Sequence, residues 1–154
     1  MALKQQIRFC TAPDGTRIAL ASAGSGPPLV RASHWLSHVE HDVDSPVWRP
    51  WIAALSRRHT YHRYDQRGSG LSDRSFAGLS LDAWVDDLEA VVDHLGLERF
   101  PLIGMSQGGA VAIAYARRHP GRVSRLLLIG AYAQGVLRRE VSDEVRLEAE
   151  TLVN

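Results

Sequence analysis

The sequence predicts an α/β protein, with a mostly parallel, doubly wound sheet and an antiparallel hairpin at its N-terminal edge. Three observations carry this. From residue 28 onward, short apolar runs alternate with segments of helical periodicity, the pattern of parallel strands joined by crossover helices. Before that, two strand-like runs, residues 6–10 and 17–21, flank an Asp14-Gly15 turn. Between a later strand and helix stands the segment Gly104-Met105-Ser106-Gln107-Gly108-Gly109, which is too rich in glycine to continue either element.

The elements follow in order. Residues 28–31 read as a short buried strand, and residues 32–45 as an irregular stretch. A helix is expected over 48–57, with Trp48, Trp51, Ile52 and Leu55 on its apolar face. Pro50 is tolerable there because the first helical turn has no partner for its missing N–H. Residues 61–64 form the next strand, and residues 65–73 (DQRGSGLSD) a turn-rich loop. Ser80 is placed to cap a helix running to about Leu95, with Trp84, Leu88, Val91, Val92 and Leu95 at helical spacing and Gly96 as its stop. Residues 101–103 are a strand, 107–119 a helix of small residues ended near Pro120, and 125–129 a strand. Residues 140–152 are expected as a final amphipathic helix.

The chain has 154 residues, which suits one domain spanning 1–154. A formal net charge of +1 offers no electrostatic case for nucleic acid or an acidic membrane as a partner. The single cysteine, Cys10, excludes an internal disulfide, and in a predicted strand it reads as inert packing. Residues 1–20 lack the unbroken apolar run of a signal peptide, and no stretch reaches the ~20 apolar residues of a membrane span. A cytoplasmic address is therefore expected.

Residues 104–108 fit the G-x-S-x-G pattern, in the strand–turn–helix context that makes such a serine a nucleophile. A Cβ two residues before or after the serine would crowd the neighbouring strand and helix, so Gly104 and Gly108 are sterically required. The start of a helix adds backbone N–H groups and a dipole favourable to a developing oxyanion. A glycine-rich turn with no chemistry is the plain alternative.

Together, residues 27–30 (PPLV), the loop 65–72 (DQRGSGLS) and residues 102–109 (LIGMSQGG) resemble the α/β-hydrolase family in order and spacing over essentially the whole chain. They are similar in particular to the hydrolase-like domains at the front of some bacterial multidomain regulators. The resemblance implies a truncated α/β-hydrolase core with Ser106 as nucleophile. It implies an oxyanion hole in which the Gln107 N–H is one donor. The second donor normally follows a His-Gly pair after the third strand. Here His34-Trp35-Leu36 stands in that place, so Trp35 or Leu36 could supply the N–H. Asp65 and Arg67 match a loop that is mainly structural in the family.

The family's acid and base follow the nucleophile in the order Ser…Asp/Glu…His. After Ser106 the only histidine is His119, ~13 residues along the same helix and hence ~20 Å away, out of reach. Asp143 and the later glutamates fall in the expected amphipathic helix, as a solvated face. The units that would carry the acid and base need at least ~60 further residues, so the chain is either a fragment or a short form with another base. His34 and His38 lie in the loop over the serine. Either is a candidate for a makeshift base, His34 ahead of His38, or else a loop-shaping residue. His41 extends that loop. Three loop histidines without a cysteine are a weak metal signal, and no metal or organic cofactor is implied. His59, His62 and His94 read as structural.

The expected function is a serine hydrolase of esterase type, acting on a small ester-type molecule through an acyl-enzyme. It should be weak or inactive in this chain, for want of its acid and base. The other reading is a non-catalytic ligand-sensing or interaction domain that keeps the fold. The strand at 125–129 (RLLLI) leaves an apolar sheet edge, which predicts self-association, with a homodimer as the simplest form.

Overall fold

The computed structural model describes residues 4–132 together with positions 142, 143 and 145. The expected helix at 140–152 lies outside the described residues, apart from Ser142, Asp143 and Val145.

Strands β1 (Gln5–Thr11) and β2 (Arg17–Ala23) form the antiparallel hairpin, in register from Gln5 opposite Ala23 to Thr11 opposite Arg17. Its turn places Gly15 at φ 88°, the conformation that selects glycine there. Each strand runs one or two residues beyond its expected end, because cross-strand pairing extends past the apolar run that marks a strand in sequence. Then follow β3 (Pro28–Arg31), α1 (Trp48–Leu55), β4 (Thr60–Tyr64), α2 (Leu81–His94), β5 (Phe100–Met105), α3 (Gly108–Arg118) and β6 (Val123–Ile129). The six strands lie in the order β1-β2-β4-β3-β5-β6. β2 pairs antiparallel with β4, and the pairs β3–β4, β3–β5 and β5–β6 are parallel. The hairpin thus sits at one edge of a parallel sheet.

Helices cover both faces. On one face, α2 and α3 bury Leu88, Val91, Val92, Val111 and Tyr115 against Leu20, Val30 and Leu102. On the other, Ile52 of α1 packs with Leu29, Tyr61 and Ile103. α2 starts where the sequence places it: the Ser80 hydroxyl accepts from the Ala83 N–H at 3.0 Å. Three expectations are corrected. Trp51 is not on the packed face of α1; it is 40% exposed, while Ile52 and, in part, Trp48 and Leu55 fill that face. α1 also ends at Leu55, and α3 begins one residue late, at Gly108, with Gln107 as its cap.

Two buried charge clusters clamp the loops at the C-terminal ends of the strands. Arg67 donates from Nε and Nη2 to the Asp87 carboxylate of α2 and reaches Asp14 of the hairpin turn at 2.6 Å. Asp42 accepts from Arg63 of β4 at 2.9 Å and lies 3.5 Å from Arg31 of β3, whose guanidinium stacks 4.7 Å over Trp48. The sequence hints at the second cluster only through arginines inside apolar strands.

Candidate functional site

β5 ends at Met105 and α3 begins at Gly108, leaving Ser106 and Gln107 to make the turn. Ser106 takes φ 49°, the one positive φ at a non-glycine residue among those described. A branched or β-substituted residue pays strain in this region, and such strain persists only where surroundings enforce it. The enforcement is visible. The Ser106 N–H donates to Ile129 O of β6 at 3.1 Å, and its carbonyl accepts from the Gly109 N–H at 3.0 Å. A Cβ on Gly104 would come 2.8 Å from both Ala112 Cβ and Gly109 Cα; one on Gly108 would come 2.7 Å from Ser33 O. The close approach at Gly108 also brings the loop after β3 against the turn. The Ser106 side chain is exposed.

That loop supplies the facing wall. A cavity of about 280 Å³ is lined by His34, Trp35, Leu36, Trp48, Met105, Ser106, Ile129 and Gly130. The lining is apolar except for Ser106 and His34. A second cavity, about 410 Å³, shares Trp35, Leu36 and Trp48 and extends over His38, His41 and Gly68–Gly70.

The hydrogen bonds of this region are specific. Among the described residues the Gln107 N–H has no protein acceptor, as an oxyanion donor requires in the resting state. The Trp35 N–H donates to Gln107 Oε1 at 2.8 Å, and the Leu36 N–H donates to His34 Nδ1 at 3.2 Å. Both alternatives for the second donor are therefore engaged internally. Because His34 Nδ1 accepts, its proton resides on Nε2, which is buried without a partner. Burial, and after it the positive charge of Arg31, pushes the His34 pKa down to about 4, so the ring is neutral near pH 7. The ring also packs on Trp48 at 4.8 Å between centroids. No described side chain hydrogen-bonds the Ser106 hydroxyl.

The remaining sequence candidates separate cleanly. Asp65 is fully buried and accepts from the Val39 and Leu71 N–H groups, and Ser72 bridges Asp65 O to the Ala19 N–H; this loop is structural. Burial raises the Asp65 pKa despite those donors. His119 lies beside Glu89 at 3.1 Å, at the far end of α3. His62 is buried against Ser22 Oγ at 2.8 Å. His34 does not join His38 and His41. Glu40 does, and donor atoms of His38, Glu40 and His41 lie within 4.8 Å of one another.

A strained, exposed serine between a parallel strand and a helix, facing a loop from the neighbouring strand of a mostly parallel sheet, is the architecture of an α/β-hydrolase fold. The chain belongs to the alpha/beta hydrolase fold family, whose model matches residues 37–151. It is 34% identical over 138 residues to the non-heme haloperoxidase of Rhodococcus erythropolis, covering 88% of this chain and 48% of that protein. It is 36% identical over 118 residues to the 2-hydroxymuconate semialdehyde hydrolase of Pseudomonas sp. strain CF600, covering 76% of this chain and 41% of that protein. Among solved structures, the ligand-free epoxide hydrolase CorEH superposes with a TM-score of 0.80 at 26% identity, covering 97% of this chain and 50% of that one. The chain thus spans about half the length or less of these relatives.

Proposed function

We propose that the chain carries the nucleophile of a serine hydrolase of esterase type, with Ser106 as that nucleophile and a small ester-type molecule as substrate. The observation that carries this is Ser106 itself: a non-glycine residue at φ 49°, exposed, with glycines two positions away on each side where an added Cβ would come within 3 Å of neighbouring atoms. In this reading Ser106 Oγ adds to the ester carbonyl carbon, and the resulting oxyanion is held by the Gln107 N–H. The alcohol then leaves with the serine proton, and water releases the acid from the acyl-enzyme. For a second donor, the Trp35 N–H must exchange Gln107 Oε1 for the substrate oxygen, or the Leu36 N–H must leave His34. His34 acts as a loop-shaping residue, since its accepting nitrogen is already used and its other nitrogen bears the proton. Turnover by the 154-residue chain is then slow or nil, because loss of a triad member costs on the order of 10⁴ in rate or more.

Incubation with a fluorophosphonate or a p-nitrophenyl ester, followed by intact-mass measurement, tests this. One covalent adduct per chain is expected, and none in Ser106→Ala. Adduct formation undiminished in Ser106→Ala would sink the assignment.

The engaged Trp35 N–H favours a second reading, a ligand-sensing domain that keeps the fold without the chemistry. Saturable binding of small apolar esters with no adduct at any pH would select it.

A further inference from the structure

The loop after β3 buries one row of side chains and exposes another. Val39 and Asp42, three residues apart, face inward. The Val39 N–H donates to both Asp65 carboxylate oxygens, at 3.0 and 3.1 Å, and the Asp42 carboxylate is held by Arg63 at 2.9 Å. The turn is closed by the Asp42 N–H on His38 O at 2.8 Å and the Asp44 N–H on His41 O at 3.0 Å. His38, Glu40 and His41 form the other row, on the outside of a backbone that is already fixed. One ligating atom from each lies within 4.8 Å of the other two, and the imidazole rings are 4.1 Å apart. Asp42 and Asp65 are committed elsewhere.

We propose that His38, Glu40 and His41 bind one divalent transition-metal ion of the zinc type. Two imidazoles and a carboxylate suit such an ion, whereas Ca²⁺ and Mg²⁺ take oxygen ligands. Bonds of about 2.0–2.2 Å in tetrahedral geometry hold donor atoms about 3.4 Å apart, so the side chains must close in by a rotamer adjustment. Glu40 and His41 are exposed and can make it without moving the backbone. Ligation at either ring nitrogen gives up only the weak 3.4 Å contact from the His41 N–H to His38 Nδ1. His38 and His41 line a cavity together with Trp35, Leu36 and Trp48, the three residues shared with the Ser106 cavity. A bound ion therefore braces the wall common to both cavities. The site does not depend on Ser106 being a nucleophile.

Calorimetric titration of the full chain with Zn²⁺ tests the proposal, with thermal unfolding measured with and without the ion. One ion per chain with micromolar affinity is expected, together with a raised Tm. His38→Ala and His41→Ala should each weaken binding at least about tenfold. Glu40→Gln should weaken it less, Ca²⁺ should not compete, and Ser106→Ala should bind as the wild type does. His41 is exposed, so its variant keeps the fold, which circular dichroism verifies. No saturable binding by the wild type, or undiminished binding by folded His41→Ala, would overturn the assignment.

Discussion

Ser106 holds a backbone conformation that costs an L-residue on the order of 1–2 kcal/mol, and only glycine enters it freely. Stability and chemistry can therefore be separated at this position. Ser106→Gly should be about as stable as the wild type, while Ser106→Val, β-branched and strained, should lose about 1–2 kcal/mol relative to the glycine variant in urea unfolding. Neither should label with a fluorophosphonate. Gly108→Ala should cost ~1–3 kcal/mol, because its new Cβ meets the Ser33 carbonyl, a backbone atom that cannot step aside. The buried histidines make a separate prediction. Burial holds His34 and His62 at pKa values of about 4, with Arg31 and Arg8 adding to it, whereas in the unfolded chain both take up protons near 6.5. Unfolding thus binds protons between about pH 4 and 6.5. The stability these rings contribute is full above that window and is lost as pH falls through it, by up to ~1.4 kcal/mol per pH unit for each. Urea midpoints from pH 7 to 4.5 should fall less steeply for His62→Asn than for the wild type; parallel curves would contradict the linkage.

Between elements, buried ions do what apolar contacts cannot, which is to fix where a loop leaves a strand. The Arg67–Asp87 pair ties the loop after β4 to α2, and both side chains are almost wholly buried. Asp87→Ala leaves that guanidinium with Asp14 alone and should cost about 3–5 kcal/mol. Arg67→Met combined with Asp87→Ala should cost less than the sum of the single changes, as a double-mutant cycle would show. Additive costs would mean that the pair is not coupled. The sequence marks the elements themselves well. Ser80 caps α2, the apolar spacing from Trp84 to Leu95 describes its buried face, and Gly104 to Gly108 bend where expected. Those signals are local: a cap, a period of 3.6, a tight turn. The internal bonding of Trp35 is not legible, because Gln107 and Trp35 are 72 residues apart and meet only when β3 and β5 pair.

Across the whole molecule, the sheet has unlike edges. The hairpin edge, β1, mixes polar Gln5, Gln6, Arg8 and Thr11 with Ile7, Phe9 and Cys10. At the other edge, β6 exposes Leu126, Leu127, Leu128 and Ile129 on both of its faces among the described residues, each more than a third accessible. We propose that a second copy of the chain occupies this edge, since an unpaired apolar strand recruits another strand. Sedimentation of the 154-residue chain at micromolar concentration should show a dimer or larger species, and Leu127→Lys should shift it toward monomer. A single monomeric wild-type species would show that this edge is already covered.

What the residues reveal unaided is everything carried by near neighbours along the chain: strand and helix identity, the hairpin, the elbow and its serine, and the family to which they point. The strand order, the burial of Asp42 between two arginines and the union of His38 with Glu40 rather than His34 emerge only from the folded chain. The physical reason is range. Periodicity, capping and turn strain act over a few residues, whereas desolvation and charge pairing depend on which distant segments share a space, and one-dimensional order does not record that.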